Sequence, residues 1–402
     1  MTAPSFASDR PAIRMRPKTD ARRIRHGFPW AYANEVVTDR RTKAMQPGTL
    51  AVLQDENRAP IALVAVNPVS KIIARVIDSN VEADVDTAWF ATRLTRALDL
   101  RNRLFDAPYY RLIHAEADGL PGLVIDRFGD TCVIQPNAAW VEARLDLLLQ
   151  ALVDVTGVTN VIKNASGRTR VLEGLDDVSV VLTGQAPDAP LPVPMNGATY
   201  MADVMGGQKT GLFFDQRPNH AFAARFAPGA RVLDVFSHVG GFGLAALANG
   251  AASALCVDGS APALELATLG AAEMGQADAL NIRQGDAFDL LTELGTDGAE
   301  FDLVICDPPA FAPAKPALEA GLRAYERIAR LATPLVAPGG ILVLCSCSHA
   351  ADLTRFRTAC LRGIGRAGRA PALLHTGFAG PDHPLLPQLA ESGYLKALFF
   401  RV

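Results

Sequence analysis

No apolar run in this 402-residue chain approaches the 18 or more residues of a membrane span. The first twenty residues, MTAPSFASDRPAIRMRPKTD, lack the apolar core of a secretory signal. These two absences argue against a membrane or secreted protein and leave the cytoplasm as the expected compartment. Cysteine is scarce as well. Cys132, Cys256, Cys306, Cys345, Cys347 and Cys360 are all there are, most of them inside apolar runs, unlike the disulfide framework of a small secreted fold. Cys345 and Cys347 are two residues apart, and on one strand that spacing separates the Cα atoms by about 6.5 to 7 Å, at or beyond disulfide reach. Zinc usually takes two C-x2-C to C-x4-C pairs, and no second pair exists, so no metal is expected. A strong charge of one sign is also missing: the formal net charge is −3, which alone argues neither for nor against nucleic acid.

The distribution of charge says more. Residues 1–43 carry ten Lys and Arg against four acids, a local excess of +6 that includes Arg22, Arg23 and Arg25. Such an end either tracks phosphates or is a solvated basic tail. Hydrophobic residues make up 49% of the chain and charged residues 20%, the balance of a soluble α/β protein whose length calls for two or three domains. Up to about residue 75, the short β-like runs TLAVLQD and IALVAVN with QPG and NRAP turns suggest a small β-barrel-like module. In residues 86–105, Trp89, Phe90, Leu94, Leu98 and Leu104 recur near helical spacing, as in a packed amphipathic helix. A second, α+β module follows from Tyr109, with a hairpin around Phe128-Gly129-Asp130 and a helix ending at Gly157. The proline-rich QAPDAPLPVPMNG (185–197) reads as a linker.

Beyond residue 217, RVLDVFS, ALCVDGS, FDLVICDPP and GILVLCSC are buried-strand runs alternating with helices, the pattern of a doubly wound parallel sheet. Ligands of such sheets bind outside the carboxyl ends of the strands. The first run is followed by HVGGFG, in which Gly240, Gly241 and Gly243 form a tight strand-to-helix turn. It is not G-x-G-x-x-G, which lowers a dinucleotide reading, whereas Asp234 at the strand end fits a cofactor with an amine group nearby. Asp258 stands where an acid would accept the hydroxyls of an adenosine ribose, and Asp286 where one could read an adenine amine. As alternatives, Asp234 and Asp258 could cap the turns that follow them, and Asp286 could be a plain turn residue. Asp307, Pro308 and Pro309 end the fourth run, the prolines fixing the direction of the carboxylate or simply making a rigid turn. The fifth delivers Cys345, Ser346, Cys347, Ser348 and His349 beside it. Cys345 still belongs to the apolar run and suits a buried hydrophobe, while Cys347 lies beyond it as a candidate nucleophile. His349 is open between base, phosphate contact and loop histidine.

In this order the glycine turn of DVFSHVGGFG, CVDGS, GDAF, DPPAF and SCSH resemble a class I S-adenosylmethionine-dependent methyltransferase. RRIRHGFPWAYANEV, YYRLIHAEADGLPGLVIDRFGD, GGQKTGLFFDQRPNH and GYLKALFFRV extend the likeness nearly end to end. They resemble the RlmI-type family of 23S ribosomal RNA cytosine-C5 methyltransferases. The resemblance implies a PUA-like RNA-binding domain over residues 1–75, a central α+β domain over 76–190, and a Rossmann-like methyltransferase domain over 191–402, opened by a hairpin region near 191–216. It implies S-adenosylmethionine held by Phe214, Gln216, Asp234, Ser237, Gly240, Gly241, Gly243, Asp258, Asp286, Asp307 and Pro308. By the same resemblance Lys209, Arg217, Pro309, Phe311 and His349, with Arg22, Arg23 and Arg25, face large-subunit ribosomal RNA, and a homodimer is plausible. Phe214 and Phe311 have an ordinary core role as the alternative. Cys347 would attack C6 of a cytosine and Asp307 would steady the polar edge of the base. Ala310 departs from the family, where Lys often stands, and separates Pro309 from the aromatic that amine-directed enzymes carry directly after the prolines. The DPPAF motif also lacks the second cysteine of many other RNA cytosine methyltransferases. A uracil- or amine-directed RNA methyltransferase, or a non-catalytic RNA-binding assembly factor, are the rival readings.

Overall fold

The computed structural model describes residues 10–206 and 211–402, with the backbone alone at Arg168. Lys209, expected at the RNA, lies outside the described residues. The chain forms two compact units, one running to Ala186 and taking in Pro384–Ser392, the other comprising Pro187–His383 and Gly393–Val402.

The first unit contains two five-stranded sheets. In one, Thr49–Gln54 and Pro60–Val66 pair antiparallel. Alternation along the second of these strands points Ala62, Val64 and Val66 into one core with Ile13, Met15 and Val36, and Leu63 and Ala65 into another. That second core also holds Trp89, Phe90 and Leu94 of the helix Thr87–Leu104. The expected boundary near residue 75 falls inside the strand Ala74–Asp78 of the first sheet, and one core spans it. Asp86 caps the helix by accepting the Trp89 amide at 2.8 Å. Leu104 is left 42% exposed, so the apolar stripe stops short of the helix end. In the second sheet Phe128 pairs with Thr131, making Gly129-Asp130 the two-residue hairpin loop. Gly157 ends the helix Leu145–Thr156 at φ +67°.

The second unit opens on a hairpin of Leu191–Met195 and Ala198–Ala202. Asn196 and Gly197 both have positive φ (57° and 79°), as a tight Asn-Gly hairpin turn needs. The stretch expected as linker is thus partly strand: Pro192 and Pro194 face out while Val193 and Met195 are buried. A two-stranded ribbon is all edge, where the missing proline N–H is tolerated.

The main sheet has seven strands: β1 (Arg231–Val235), β2 (Ser253–Asp258), β3 (Leu280–Gln284), β4 (Phe301–Cys306), β5 (Val336–Ser346), β6 (Ala372–Gly377) and β7 (Lys396–Arg401). Their spatial order is β3-β2-β1-β4-β5-β7-β6, with β7 antiparallel to both neighbours. Helices α1 (Arg217–Ala224), α2 (Gly241–Ala248), α3 (Ala261–Glu273), α4 (Ala287–Thr296), α5 (Leu318–Ala332) and α6 (Leu353–Arg366) accompany it. The order reverses between β1 and β4, which opens the crevice where doubly wound sheets take their ligands. Apolar faces of α4, α5 and α6 close one core over β1, β4 and β5, through Leu291, Tyr325, Ile328 and Phe356 against Val235, Val304, Leu342 and Leu344. No helix among the described residues is long and apolar enough to cross a membrane.

Helix α2 lies tightly on the sheet. A Cβ on Gly243 would stand 2.6 Å from the Cys256 sulfur. Gly243→Ala is expected to lower stability by about 1–3 kcal/mol through overpacking, and Cys256→Ala in the same chain to recover most of that loss. Urea denaturation of both variants checks it, and no recovery in the double variant would show the strain to lie elsewhere.

Candidate functional site

The crevice is built from residues immediately after β1, β2, β4 and β5. After β1 the backbone takes three positive φ values within five residues, at Phe236 (61°), His238 (51°) and Gly240 (81°). For two non-glycine residues this is a costly conformation, held by the surrounding contacts. One such contact is Asp258, whose Oδ2 accepts the His238 amide at 2.8 Å while Oδ1 accepts that of Ser260 at 2.8 Å. Tyr200 of the hairpin adds another, its hydroxyl donating to the Gly241 carbonyl at 2.9 Å. The rings of Phe213 and His238 lie 4.9 Å apart beside the turn. Neither Tyr200 nor Phe213 stands out by periodicity or motif, because their partners are distant in sequence.

Asp234 is fully buried. Its Oδ2 accepts the amides of Phe242 (3.1 Å) and Gly243 (2.8 Å), capping α2 and holding the glycine turn. Burial pushes its carboxyl up to about 7 despite these bonds, with Asp258 adding to the rise. Phe214 is also fully buried, with the Arg217 guanidinium 5.4 Å from its ring, so it supports the crevice from behind as a core aromatic. Asp286 is exposed and caps α4 through the amides of Phe288 and Asp289. Asp258 is half-buried, and Ser237 and Gln216 are buried beside the same crevice.

On the other side of the switch point, β4 and β5 run parallel with Cys306 opposite Leu344. The Asp307 amide donates to the Val235 carbonyl at 3.1 Å, tying the acid to the end of β1. Pro308 is buried and Pro309 exposed. The half-buried Cys347 lies with its Sγ 3.9 Å from the Pro308 carbonyl oxygen. Cys345, still on β5, is buried, and burial together with the Asp307 charge pushes its thiol well up. The other four cysteines are buried too. His349 is exposed in the loop that follows.

A buried polar network underlies this loop. The Ser346 hydroxyl donates to Tyr325 Oη at 2.8 Å, and Tyr325 Oη shares a hydrogen bond with Ser348 Oγ at 2.8 Å. Ser348 Oγ also accepts the Ala312 amide at 2.9 Å, joining the loop after β5 to the loop after β4. Lys396 donates from Nζ to the carbonyls of Ser348 (2.7 Å) and Ala351 (2.9 Å). Sequence reading missed both residues, although a lysine opening the apolar strand KALFF was a visible anomaly. Phe311, expected at the RNA with a core role as the alternative, packs half-buried against Tyr325 with ring centroids 5.0 Å apart.

In the first unit Arg22, Arg23 and Arg25 line a cleft of about 890 Å³ with Arg16, His26 and Phe28. Arg22 is exposed. Arg25 pairs with Asp55 at 2.8 Å. Arg23 is bound to Glu35 and lies 4.3 Å over the Phe28 ring, so its guanidinium is committed to the fold, contrary to its expected place at the RNA.

Residues 145–401 match the model of an S-adenosylmethionine-dependent methyltransferase family, and residues 13–79 that of a PUA-like domain. Among curated relatives, a ribosomal RNA large subunit methyltransferase of Deinococcus radiodurans is 35% identical over the full length of both chains (100% of each). Ribosomal RNA large subunit methyltransferase I of Shewanella denitrificans is 35% identical over 97% of this chain and 100% of its own. The chain belongs to this methyltransferase family. The fold agrees: an S-adenosylmethionine-dependent methyltransferase from Streptococcus mutans superposes with a TM-score of 0.82 over 98% of this chain and 100% of its own, at 19% identity. A methyltransferase crystallised with S-adenosylhomocysteine also reaches 0.82, at 19% identity over 98% of this chain and 99% of its own.

The cofactor of the family is S-adenosylmethionine, and the crevice has groups to suit it. Asp234 Oδ1, Ser237 Oγ and Gln216 Nε2 are buried there without a hydrogen-bond partner. Native interiors rarely leave such atoms unsatisfied, and an amino acid ligand brings an ammonium and a carboxylate to meet them. Because the folded Asp234 binds its proton more tightly than the unfolded chain, cofactor-free protein should lose stability as pH rises from about 4 to about 7. Thermal melts across that window should fall less steeply for Asp234→Asn. Equal slopes in the two proteins would contradict the raised carboxyl.

Proposed function

We propose that this methyltransferase converts a cytosine of large-subunit ribosomal RNA to 5-methylcytosine through a covalent adduct of Cys347. The observation that carries the reading is the position of that thiol: half-exposed, beyond β5, and 3.9 Å from the carbonyl of Pro308, next to Asp307. Both named relatives above act, by their names, on large-subunit ribosomal RNA.

Cytosine C5 is too weak a nucleophile to accept a methyl group unaided. The Cys347 thiolate adds to C6, forming a carbon–sulfur bond and moving the ring electron pair toward C5 and N3. Covalent addition divides one difficult step into easier ones. Asp307 holds the polar edge of the base while that charge develops, its direction set by the two prolines that follow. Bound S-adenosylmethionine supplies an electrophilic methyl group on a sulfonium. C5 would form the new carbon–carbon bond as the methyl–sulfur bond breaks, the electron pair of that bond staying on sulfur to leave S-adenosylhomocysteine; C5 then loses its proton to a base, and the returning electron pair expels the Cys347 thiolate. Taking the base out of the RNA stack is the usual entry to such chemistry. Arg22 and Arg25 are exposed in the basic cleft, where they can meet phosphate. A ribosomal RNA substrate assigns the reaction to the cytoplasm, and the family resemblance favours a homodimer.

Purified protein, labelled S-adenosylmethionine and undermodified ribosomal RNA should yield 5-methylcytosine after nuclease digestion. Labelled methyladenine or methylguanine would refute the base assignment. Cys347→Ala should abolish transfer, Asp307→Asn should lower kcat by about 100- to 1000-fold, and Cys345→Ala should leave it largely intact. Full activity in Cys347→Ala would remove the nucleophile.

A further inference from the structure

We infer that Lys396 is a positioning residue for Cys347, fixing the loop that carries the thiol and favouring its thiolate form. The inference rests on Cys347 being the nucleophile. Lys396 opens β7 opposite Ser346, the last residue of β5, and is only 4% exposed. Two of its three N–H bonds are spent on the carbonyls of Ser348 and Ala351, which follow Cys347 by one and four residues. No acceptor for the third is found among the described residues.

A buried ammonium is expensive, and an apolar side chain of the same length would fill the space at less cost. The loop itself is already held without it, by Ser348 bonded to Tyr325 and to the Ala312 amide. What Lys396 adds is charge. The titratable groups around the loop of Cys347 are Asp307 after β4, Tyr325 on α5, His349 on the loop itself, Asp352 at the cap of α6 and Lys396 on β7; of these Tyr325 and Lys396 interact electrostatically with Cys347, and Asp352 with Lys396. Burial pushes the Tyr325 hydroxyl up to about 12, so it stays neutral. Burial pulls Lys396 down to about 8, while Cys347 and Asp352 hold it up, so the ammonium prevails at neutral pH. With acidic groups on either side, Lys396 is the buried cation of this set and opposes their effect on the thiol.

Alkylation reads this directly, because the other five cysteines are buried and iodoacetamide on the native protein reports Cys347. Its rate against pH, followed by intact mass, should give wild-type Cys347 an apparent pKa below the free-thiol value of about 8.5. Lys396→Met and Lys396→Gln should both raise it by about one unit or more, and Lys396→Arg should restore it. Unchanged binding of S-adenosylhomocysteine serves as the check that each variant is folded. If Lys396→Gln, which keeps donors but no charge, titrates like wild type, the residue is only a strut and the inference is overturned. A wild-type thiol titrating at or above 8.5 overturns it without any variant. The readout needs neither RNA nor methyl transfer, so full methylation by Cys347→Ala would refute the nucleophile while the alkylation profile still judged the influence of Lys396.

Discussion

The register of β4 against β5 is the constraint on which the site depends. With Cys306 opposite Leu344, the residues that leave the two strands emerge side by side: Asp307 and Pro308 from one, Cys347 from the other. Side chains on a strand alternate with a period of two, so a slip of one residue would exchange every buried side chain for its neighbour. The apolar run Ile341–Cys345, buried throughout, makes such a slip costly. The active-site spacing is thus guarded by hydrophobic burial that takes no part in chemistry.

The end of β5 is held by two sets of bonds. The hydroxyls of Ser346 and Ser348 meet Tyr325, and Lys396 reaches the backbone carbonyl of Ser348, the residue after Cys347. A buried polar network that is satisfied is rigid, and one that is broken is costly. Ser348 Oγ also accepts from Ala312, so the loop bearing the thiol and the loop bearing the acid share one hydrogen-bonded support. Asp234 and Asp258 act in the same way on the cofactor side. Each spends carboxylate oxygens on backbone amides around the glycine turn, holding a conformation that Phe236 and His238 would not adopt on their own.

Much of this architecture was legible in the chain. The strand runs after residue 217, the helix Thr87–Leu104, the hairpin at Gly129-Asp130 and the stop at Gly157 all follow from local periodicity and turn chemistry. The unequal burial of Cys345 and Cys347 follows from where the apolar run ends. What the chain left open concentrates where a side chain chooses among distant partners: Asp234 takes the cap that was one of its two roles, Arg23 is held by Glu35, and Phe311 packs on Tyr325.

By itself, the sequence determined the alternation of strands and helices, the crevice at their carboxyl ends, and the residue types delivered there, because hydrophobic period and turn residues act over a few positions. Only the tertiary structure decided which carboxylate is buried, which arginine is already paired, and what stands beneath Cys347. Those are questions of partnership across 21 residues from Tyr325 to Ser346 and 48 from Ser348 to Lys396, and no local pattern encodes a hydrogen bond made over that distance.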